Sequence, residues 1–405
     1  MDIALNCILD ASGLSYVAQQ YFKLLEAQQV AVVPTWIMPP DRNAKEILGP
    51  IAEKMLLAAS LKFSAPPLQL HCGMPDVRLL RSRAGAIASV VLEGNRLLPR
   101  SLLALKPVNA ILVPSTFCKT TCLSSGFPKK KTFEVSYPLA SDVWNMAVEP
   151  SLPRSGRFRF LWMNTWRERK GWDVMLRSYW QEFSDADNVE LVLKSYVEDD
   201  RGESLQRVVS KAATRMGASR AKMAPVTCID ETMPADRIPG FMKSFDAYVS
   251  PHRSEGFGLN VWHAMALGVP VIATDYGGTT DFVKRDTAWP VKVEKMSRPS
   301  DLEKSLFSPY LSGITWAEPD GDDLRRQMRI CFSNGKEARK RAVAGAQLVA
   351  SKYDAKKILS GLSLAIETVL PGTWDKLRAD AALAAAVKNT EKFESEDRPL
   401  TLLEI

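Results

Sequence analysis

No apolar run among the 405 residues reaches the roughly 18 that a membrane-crossing helix needs, which excludes a transmembrane anchor within this sequence. The first fifteen positions hold no lysine or arginine and carry Asp2 and Asp10 instead, so they do not read as a signal peptide. Cysteine is sparse: of six, only Cys118 and Cys122 lie close together, with no neighbouring His or Cys to complete a metal set. That pattern argues against a disulfide framework and a zinc module, and for free thiols in a reducing, cytoplasmic compartment. Helix-turn-helix, zinc-finger and RNA-binding signatures are missing as well. The first turn lacks G-x-G-x-x-G, so a dinucleotide-binding fold gains no support there.

What is present is a soluble-type composition, 46% hydrophobic and 24% charged, at a length that suits two domains of roughly 150–200 residues. The formal charge of +7 favours an anionic partner: a nucleotide sugar, an acidic membrane surface or a nucleic acid. The basic residues are dispersed, and the short run Lys129 to Lys131 reads as a solvated loop.

The chain opens as strand, turn, helix: Ile3 to Leu9, then Asp10 to Gly13, then Ser15 to Gln28 with Val17, Tyr21, Leu24 and Leu25 on one face. Val30 to Val33, Ala88 to Leu92, Ala110 to Pro114 and Phe133 to Tyr137 are further short apolar runs. The pattern lapses from Asn145 to Arg157, a stretch with Pro150, Pro153 and Gly156 that suits a linker. A second series then begins, with strands at Phe158 to Met163, Val189 to Leu193, Ala247 to Ser250 and Val269 to Thr274, and a helix at Trp172 to Phe183. The spacing predicts two doubly wound α/β domains, residues 1–150 and 151–370, with the site in the cleft between them. A helix over Asp375 to Lys392 and a polar end make up residues 371–405.

The segment Ser250 to Phe282, SPHRSEGFGLNVWHAMALGVPVIATDYGGTTDF, is the richest in chemistry. A strand ends at Ser250, and Gly256 and Gly258 form a tight loop before a helix from Leu259 to Leu267. Backbone N–H groups at such a helix start can approach a phosphate, which the helix dipole favours. Glu255, just before the helix at the sheet edge where ligands bind, can accept hydrogen bonds from sugar hydroxyls. The loop Asn164 to Asp173, NTWRERKGWD, follows another strand and brings Arg167, Arg169 and Lys170 to the same edge. Fixed cations there would stabilise a departing phosphate. Lys194, ending the strand VELVLK, is either a further cation for the site or an ordinary strand-end lysine.

This segment resembles the donor-site signature of family 4 glycosyltransferases, retaining nucleotide-sugar enzymes of the GT-B fold. The resemblance covers Ala110 to Phe282 best. It implies two Rossmann-like domains facing a central cleft, the C-terminal one binding the donor. It also implies that Glu255 holds a donor-sugar hydroxyl and that Gly256, Phe257 and Gly258 lie beside the phosphates. Where the family has a second Glu for the ribose, this chain has His263, whose imidazole can donate or accept one hydrogen bond. Lys170 and Gly171 match the family's phosphate-binding Lys-Gly. Its Arg position falls on Thr165, leaving Arg169 or Arg167 to supply that charge, with Arg169 favoured. Gly13 matches the glycine loop that abuts donor and acceptor. Glu93, in SVVLEGNRLLP, stands where related enzymes face the acceptor and could orient the attacking hydroxyl. The stretch Trp316 to Asp320 resembles a late structural stretch of the family.

Asp185-Ala186-Asp187 is a D-x-D, but it precedes a strand rather than following one, so an exposed turn is expected and no metal. The expected donor is a nucleotide-diphosphate sugar, with no cofactor. The expected acceptor is a saccharide or lipid-linked saccharide. A modified base in DNA remains an alternative, as does a sugar- or partner-binding relic, given Thr165 and His263. A peripheral contact at the inner membrane face would draw on Lys356, Lys357 and the helix near Lys388.

Overall fold

The computed structural model describes residues 2–63, 65–73, 83–195, 204–215, 223–307, 311 and 313–378. The helix expected from Asp375 to Lys392 lies outside the described residues beyond 378. Two six-stranded sheets dominate. The first contains β1 (Ile3–Cys7), β2 (Val32–Trp36), β3 (Leu68–Cys72), β4 (Ala86–Ser89), β5 (Ala110–Val113) and β6 (Thr132–Glu134). Its order is β2-β1-β3-β4-β5-β6, and every neighbour is parallel. The second contains β7 (Phe158–Met163), β8 (Val189–Lys194), β9 (Val226–Ile229), β10 (Ala247–Ser250), β11 (Val271–Thr274) and β12 (Trp289–Val291). Its order is β12-β11-β10-β7-β8-β9, again parallel throughout. A hairpin of β13 (Val293–Ser297) and β14 (Trp316–Pro319) stands beside it. This is the expected GT-B architecture.

Parallel strands covered by helices on both faces read as continuous apolar runs, because both sets of side chains are buried. β1, β4, β5, β10 and β11 are buried at every position. The first helix runs Gly13–Glu26, two residues earlier than expected, because the Ser12 hydroxyl accepts the Ser15 N–H and caps it. Residues 145–157 form turns and bends between the sheets, with neither strand nor helix. After the second sheet the chain crosses back: the helix Ala355–Val369 packs against β5 and β6.

The order of the second sheet fixes where a ligand can sit. Read from β9, the strands run outward from β7 through β8 to β9, then start again beside β7 at β10 and run through β11 to β12. Connections after β7 and β10 therefore leave the sheet on opposite faces, opening a crevice at the carboxyl edge between them. The two loops singled out in the sequence, Asn164 to Asp173 and Ser250 to Phe282, begin at those two strands.

The halves meet across this edge in close contact. One continuous apolar core runs from β1 and β3 through Phe257 and Trp262 to Tyr353. The Ser115 hydroxyl, which caps the helix Thr116–Ser124, donates to the Gly256 carbonyl at 2.6 Å. A Cβ on Gly256 would lie 2.3 Å from Val91 Cγ2 and 2.5 Å from the Leu92 carbonyl oxygen, a backbone atom that cannot swing away. Gly256→Ala therefore has to separate the two halves locally. We expect a loss of about 1–3 kcal/mol in thermal unfolding. An unchanged melting curve would show that the halves are not held this closely in solution.

Candidate active site

Four of the sequence-predicted residues converge at the crevice. The Lys170 ammonium pairs with Glu255 Oε1. Arg169 Nη1 reaches Glu255 Oε2 at 3.4 Å and donates to the Ser254 carbonyl at 2.9 Å, while its Nη2 pairs with Glu93 Oε1 at 2.8 Å. Glu93 comes from the segment after β4 in the first sheet, so Arg169 bridges the two halves. All but Glu93 are nearly buried: the side chains of Arg169, Lys170 and Glu255 expose 13%, 14% and 9% of their surface. Two cations and two carboxylates thus balance one another in a poorly hydrated space.

Local geometry explains the convergence. The Gly171 backbone is left-handed (φ 68°), and an added Cβ would fall 1.8 Å from the Pro251 carbonyl oxygen. Only glycine lets the loop after β7 turn this tightly against the loop after β10. The Arg253 N–H then donates to the Arg169 carbonyl at 2.7 Å, joining the two loops. Gly258 begins the helix Leu259–Ala266 with no side-chain cap. Gly13, at the start of the first helix, faces this point, its position 3.0 Å from Leu259 Cδ1 when a Cβ is added.

Burial alone would raise the Glu255 carboxyl, but Lys170, Arg169 and His252 outweigh it and hold it at about 2. It is therefore a carboxylate at every working pH. Burial, reinforced by Arg169, lowers the Lys170 ammonium. The Arg169 guanidinium is also opposed by burial, yet Glu93 and Glu255 keep it firmly charged.

Other predicted residues lie elsewhere. Lys194, at the end of β8, donates to the Glu231 carbonyl at 2.5 Å and makes no contact with the cluster. The Phe257 ring is turned into an aromatic group with Tyr137, Trp262, Phe282 and Tyr353, at centroid distances of 4.9–5.7 Å, so only its backbone adjoins the loop. His263 stacks flat on Trp144 at 3.7 Å and meets the Tyr16 ring edge-on at 4.9 Å. Its Nε2 is buried without a hydrogen-bond partner, and burial lowers the ring to about 3, so it is a neutral imidazole. In the D-x-D, Asp187 accepts from the Ser184 N–H at 2.9 Å and pairs with Arg329 at 2.7 Å, anchoring its turn. Among the described residues no group of three or more His, Cys, Asp or Glu could hold a metal.

Two residues escaped the sequence reading. Arg253 is buried and pairs in two-pronged fashion with Asp173, both bonds 2.8 Å, while its Nε meets both Glu318 oxygens at 2.9 Å. His252 is fully buried; its Nε2 lies 3.1 Å from the Tyr276 carbonyl, and its Nδ1 lies 3.0 Å from the Ser250 carbonyl and 3.1 Å from the Ser250 hydroxyl. The available signal was two polar residues in the short loop between the strand ending at Ser250 and Glu255.

Comparison with known proteins agrees with this geometry. Residues 157–304 match the model of the family described as glycosyl transferases group 1. The lipopolysaccharide core biosynthesis mannosyltransferase LpsB of Rhizobium meliloti (strain 1021) is 50% identical over 46 residues, a match that spans 11% of this chain and 13% of that relative. Among solved structures, TarM of S. aureus with UDP superposes with TM-score 0.55 at 14% identity, over 74% of this chain and 55% of TarM. HepE of Anabaena with UDP and glucose gives 0.62 at 14%, covering 91% of this chain and 100% of HepE. Sucrose-phosphate synthase of Thermosynechococcus elongatus gives 0.63 at 15%, covering 90% and 97%. Residues 157–304 are thus similar to the group 1 glycosyltransferases, and the two-sheet architecture is the GT-B fold of these solved structures.

Proposed function

We propose that the chain transfers a sugar from a nucleoside-diphosphate donor to an acceptor hydroxyl, with retention of configuration and without a metal. The observation that carries this reading is the meeting of Lys170 and Arg169 with Glu255 at the crevice between β7 and β10. An incoming diphosphate would take over the two cations from their carboxylate partners, with the start of the helix Leu259–Ala266 behind it. Glu255, released from Lys170, would accept from a hydroxyl of the donor sugar. The bond from the anomeric carbon to the phosphate oxygen breaks with its electron pair going to the diphosphate, whose growing charge the cations stabilise. The acceptor oxygen bonds the same face of that carbon and gives its proton to the departing phosphate oxygen. Glu93, across from the donor loop, would orient the acceptor hydroxyl once Arg169 turns to the phosphate.

Relatives support a nucleoside-diphosphate sugar such as a uridine-diphosphate hexose as donor and a saccharide as acceptor. HepE and TarM were crystallised with UDP, and LpsB is named a mannosyltransferase. A second reading, a binding relic, draws on His263: its ring lies flat on Trp144 and its Nε2 is buried, so that nitrogen is not offered to a ribose. One experiment decides between them. The purified chain is mixed with a panel of nucleotide sugars, and melting point and released nucleoside diphosphate are followed together. A donor at about a hundredfold its Kd stabilises the fold by about 2.7 kcal/mol. Stabilisation with slow release, and an unchanged anomeric configuration in the product by NMR, is the expected result. Stabilisation without release, with every acceptor tried, would favour the relic. No stabilisation by any donor would remove both readings.

A further inference from the structure

The connection from β13 to β14 touches the loops that carry both partners of the Arg169–Glu93 bridge. At one end, the Thr315 N–H donates to Asn95 Oδ1 at 2.8 Å, beside Glu93, and Ile314 Cδ1 lies 2.6 Å from where a Cβ on Gly94 would stand. At the other end, the short helix Asp301–Phe307 sets Glu303 against the turn Glu168–Lys170. Glu303 is 4% exposed, and its Oε2 accepts the Glu168 N–H at 3.2 Å. Ser300 holds the Glu168 side chain. Its N–H, at 3.1 Å, and its hydroxyl both donate to Glu168 Oε2, and the same hydroxyl accepts the Glu303 N–H at 3.2 Å. The Glu168 carbonyl accepts from Arg253 Nη1 at 2.6 Å. The N–H, the carbonyl and the carboxylate of Glu168 are thus all held, and Arg169 and Lys170 follow it directly in the turn.

A buried carboxylate is costly unless its surroundings compensate it. Burial raises the Glu303 carboxyl above its ordinary value, opposed by the Glu168 N–H and by the charges of Arg167 and Arg169. We propose, on the catalytic reading of Lys170 and Arg169 given above, that Glu303 is a positioning residue: by accepting the Glu168 N–H it sets the turn that aims both cations at the donor diphosphate. Its place differs from that of the other two carboxylates. Glu255 and Glu93 sit on the cations themselves and give way to the diphosphate. Glu303 grips the main chain one residue earlier, so it holds the turn without taking the place of the phosphate.

Reach and charge can be separated at this position. Glu303→Gln keeps an oxygen within reach of the Glu168 N–H but removes the charge. Glu303→Asp keeps the charge but withdraws the oxygen by one methylene. The test is steady-state turnover of the full chain, well below the melting transition of each variant, with the nucleotide sugar of the panel above that the parent hydrolyses fastest. Glu303→Asp is expected to lower kcat about tenfold or more, the scale on which a small misplacement of a catalytic group is felt, and to change the donor KM much less. Glu303→Gln should retain most of the parent kcat. Asp301→Asn, which alters a fully exposed carboxylate on the same helix, should match the parent. The inference is overturned if Glu303→Asp turns over at the parent rate, or if Glu303→Gln falls as far as Glu303→Asp. Lys170→Met, measured alongside, tells the two failures apart. If it loses turnover while Glu303→Asp does not, only the role of Glu303 is lost. If it too keeps the parent rate, or the parent hydrolyses no donor, the catalytic reading falls and this inference with it.

Discussion

Glu255→Gln is expected to lose about two to three orders of magnitude in kcat while its affinity for the nucleoside diphosphate holds or rises. Removing one preorganised charged contact to the reacting group typically costs that much. The rise in affinity follows from charge balance. In the unliganded chain Lys170 and Arg169 are neutralised by Glu255 and Glu93. Deleting the Glu255 charge leaves the cations free for phosphate. Lys170→Met should move the other way on the second axis, losing turnover and diphosphate affinity together. Turnover assays paired with calorimetric titration of UDP and GDP read both effects. If both variants turn over at the parent rate, the site lies elsewhere. The pH behaviour follows from the same contacts. The Glu255 carboxyl falls from 4.5 to about 2 on folding, so the stability it contributes is present above 4.5 and lost as pH falls through about 2. No limb of the kcat/KM profile near pH 5, which reports the unliganded chain, should therefore trace to Glu255.

What could be read from the residues, and what could not, divides along physical lines. β1, β5, β7 and β10 were legible because strands buried on both faces are written as apolar runs. β3 was not, since Gln69 and His71 interrupt LQLHC, and both are buried only because neighbouring strands cover them. Part of the backbone chemistry was legible: Gly256 read as a tight loop, but its close neighbour is the Leu92 carbonyl, and Gly171, read only as part of a Lys-Gly match, is the glycine whose absent Cβ leaves room for the Pro251 carbonyl. Side-chain direction was not. Whether Phe257 turns toward phosphate or core depends on Tyr137, far away in sequence, and the Lys194 ammonium answers to the Glu231 carbonyl. His263 shows the same limit, because its flat partner Trp144 lies in the stretch between the two sheets, where no periodicity marks it. The four-charge cluster sits between these cases: each member was visible at a sheet edge, but the bridge from Arg169 to Glu93 exists only once the two halves meet.

Arg253→Met should lower the stability of the second half by about 3–5 kcal/mol, because it leaves Asp173 and Glu318 without their shared counter-ion. Those carboxylates are 25% and 18% exposed, so water softens the loss and the lower end is expected. In a unit of this size about 3 kcal/mol corresponds to roughly 6–12 °C in Tm. The guanidinium also donates to the Glu168 carbonyl at 2.6 Å, which fixes the turn bearing Arg169 and Lys170. That makes Arg253 a positioning residue, and a second variant separates this role from mere stabilisation. Adding Asp173→Asn and Glu318→Gln to Arg253→Met removes the stranded charges, and much of the stability should return. The turn still lacks its anchor, so kcat should stay depressed by about tenfold or more, the scale on which small misplacements of a catalytic group are felt. Recovery of turnover together with the melting point would mean that Arg253 only holds the fold. Recovery of the melting point alone would mean that it aims the two cations at the leaving group.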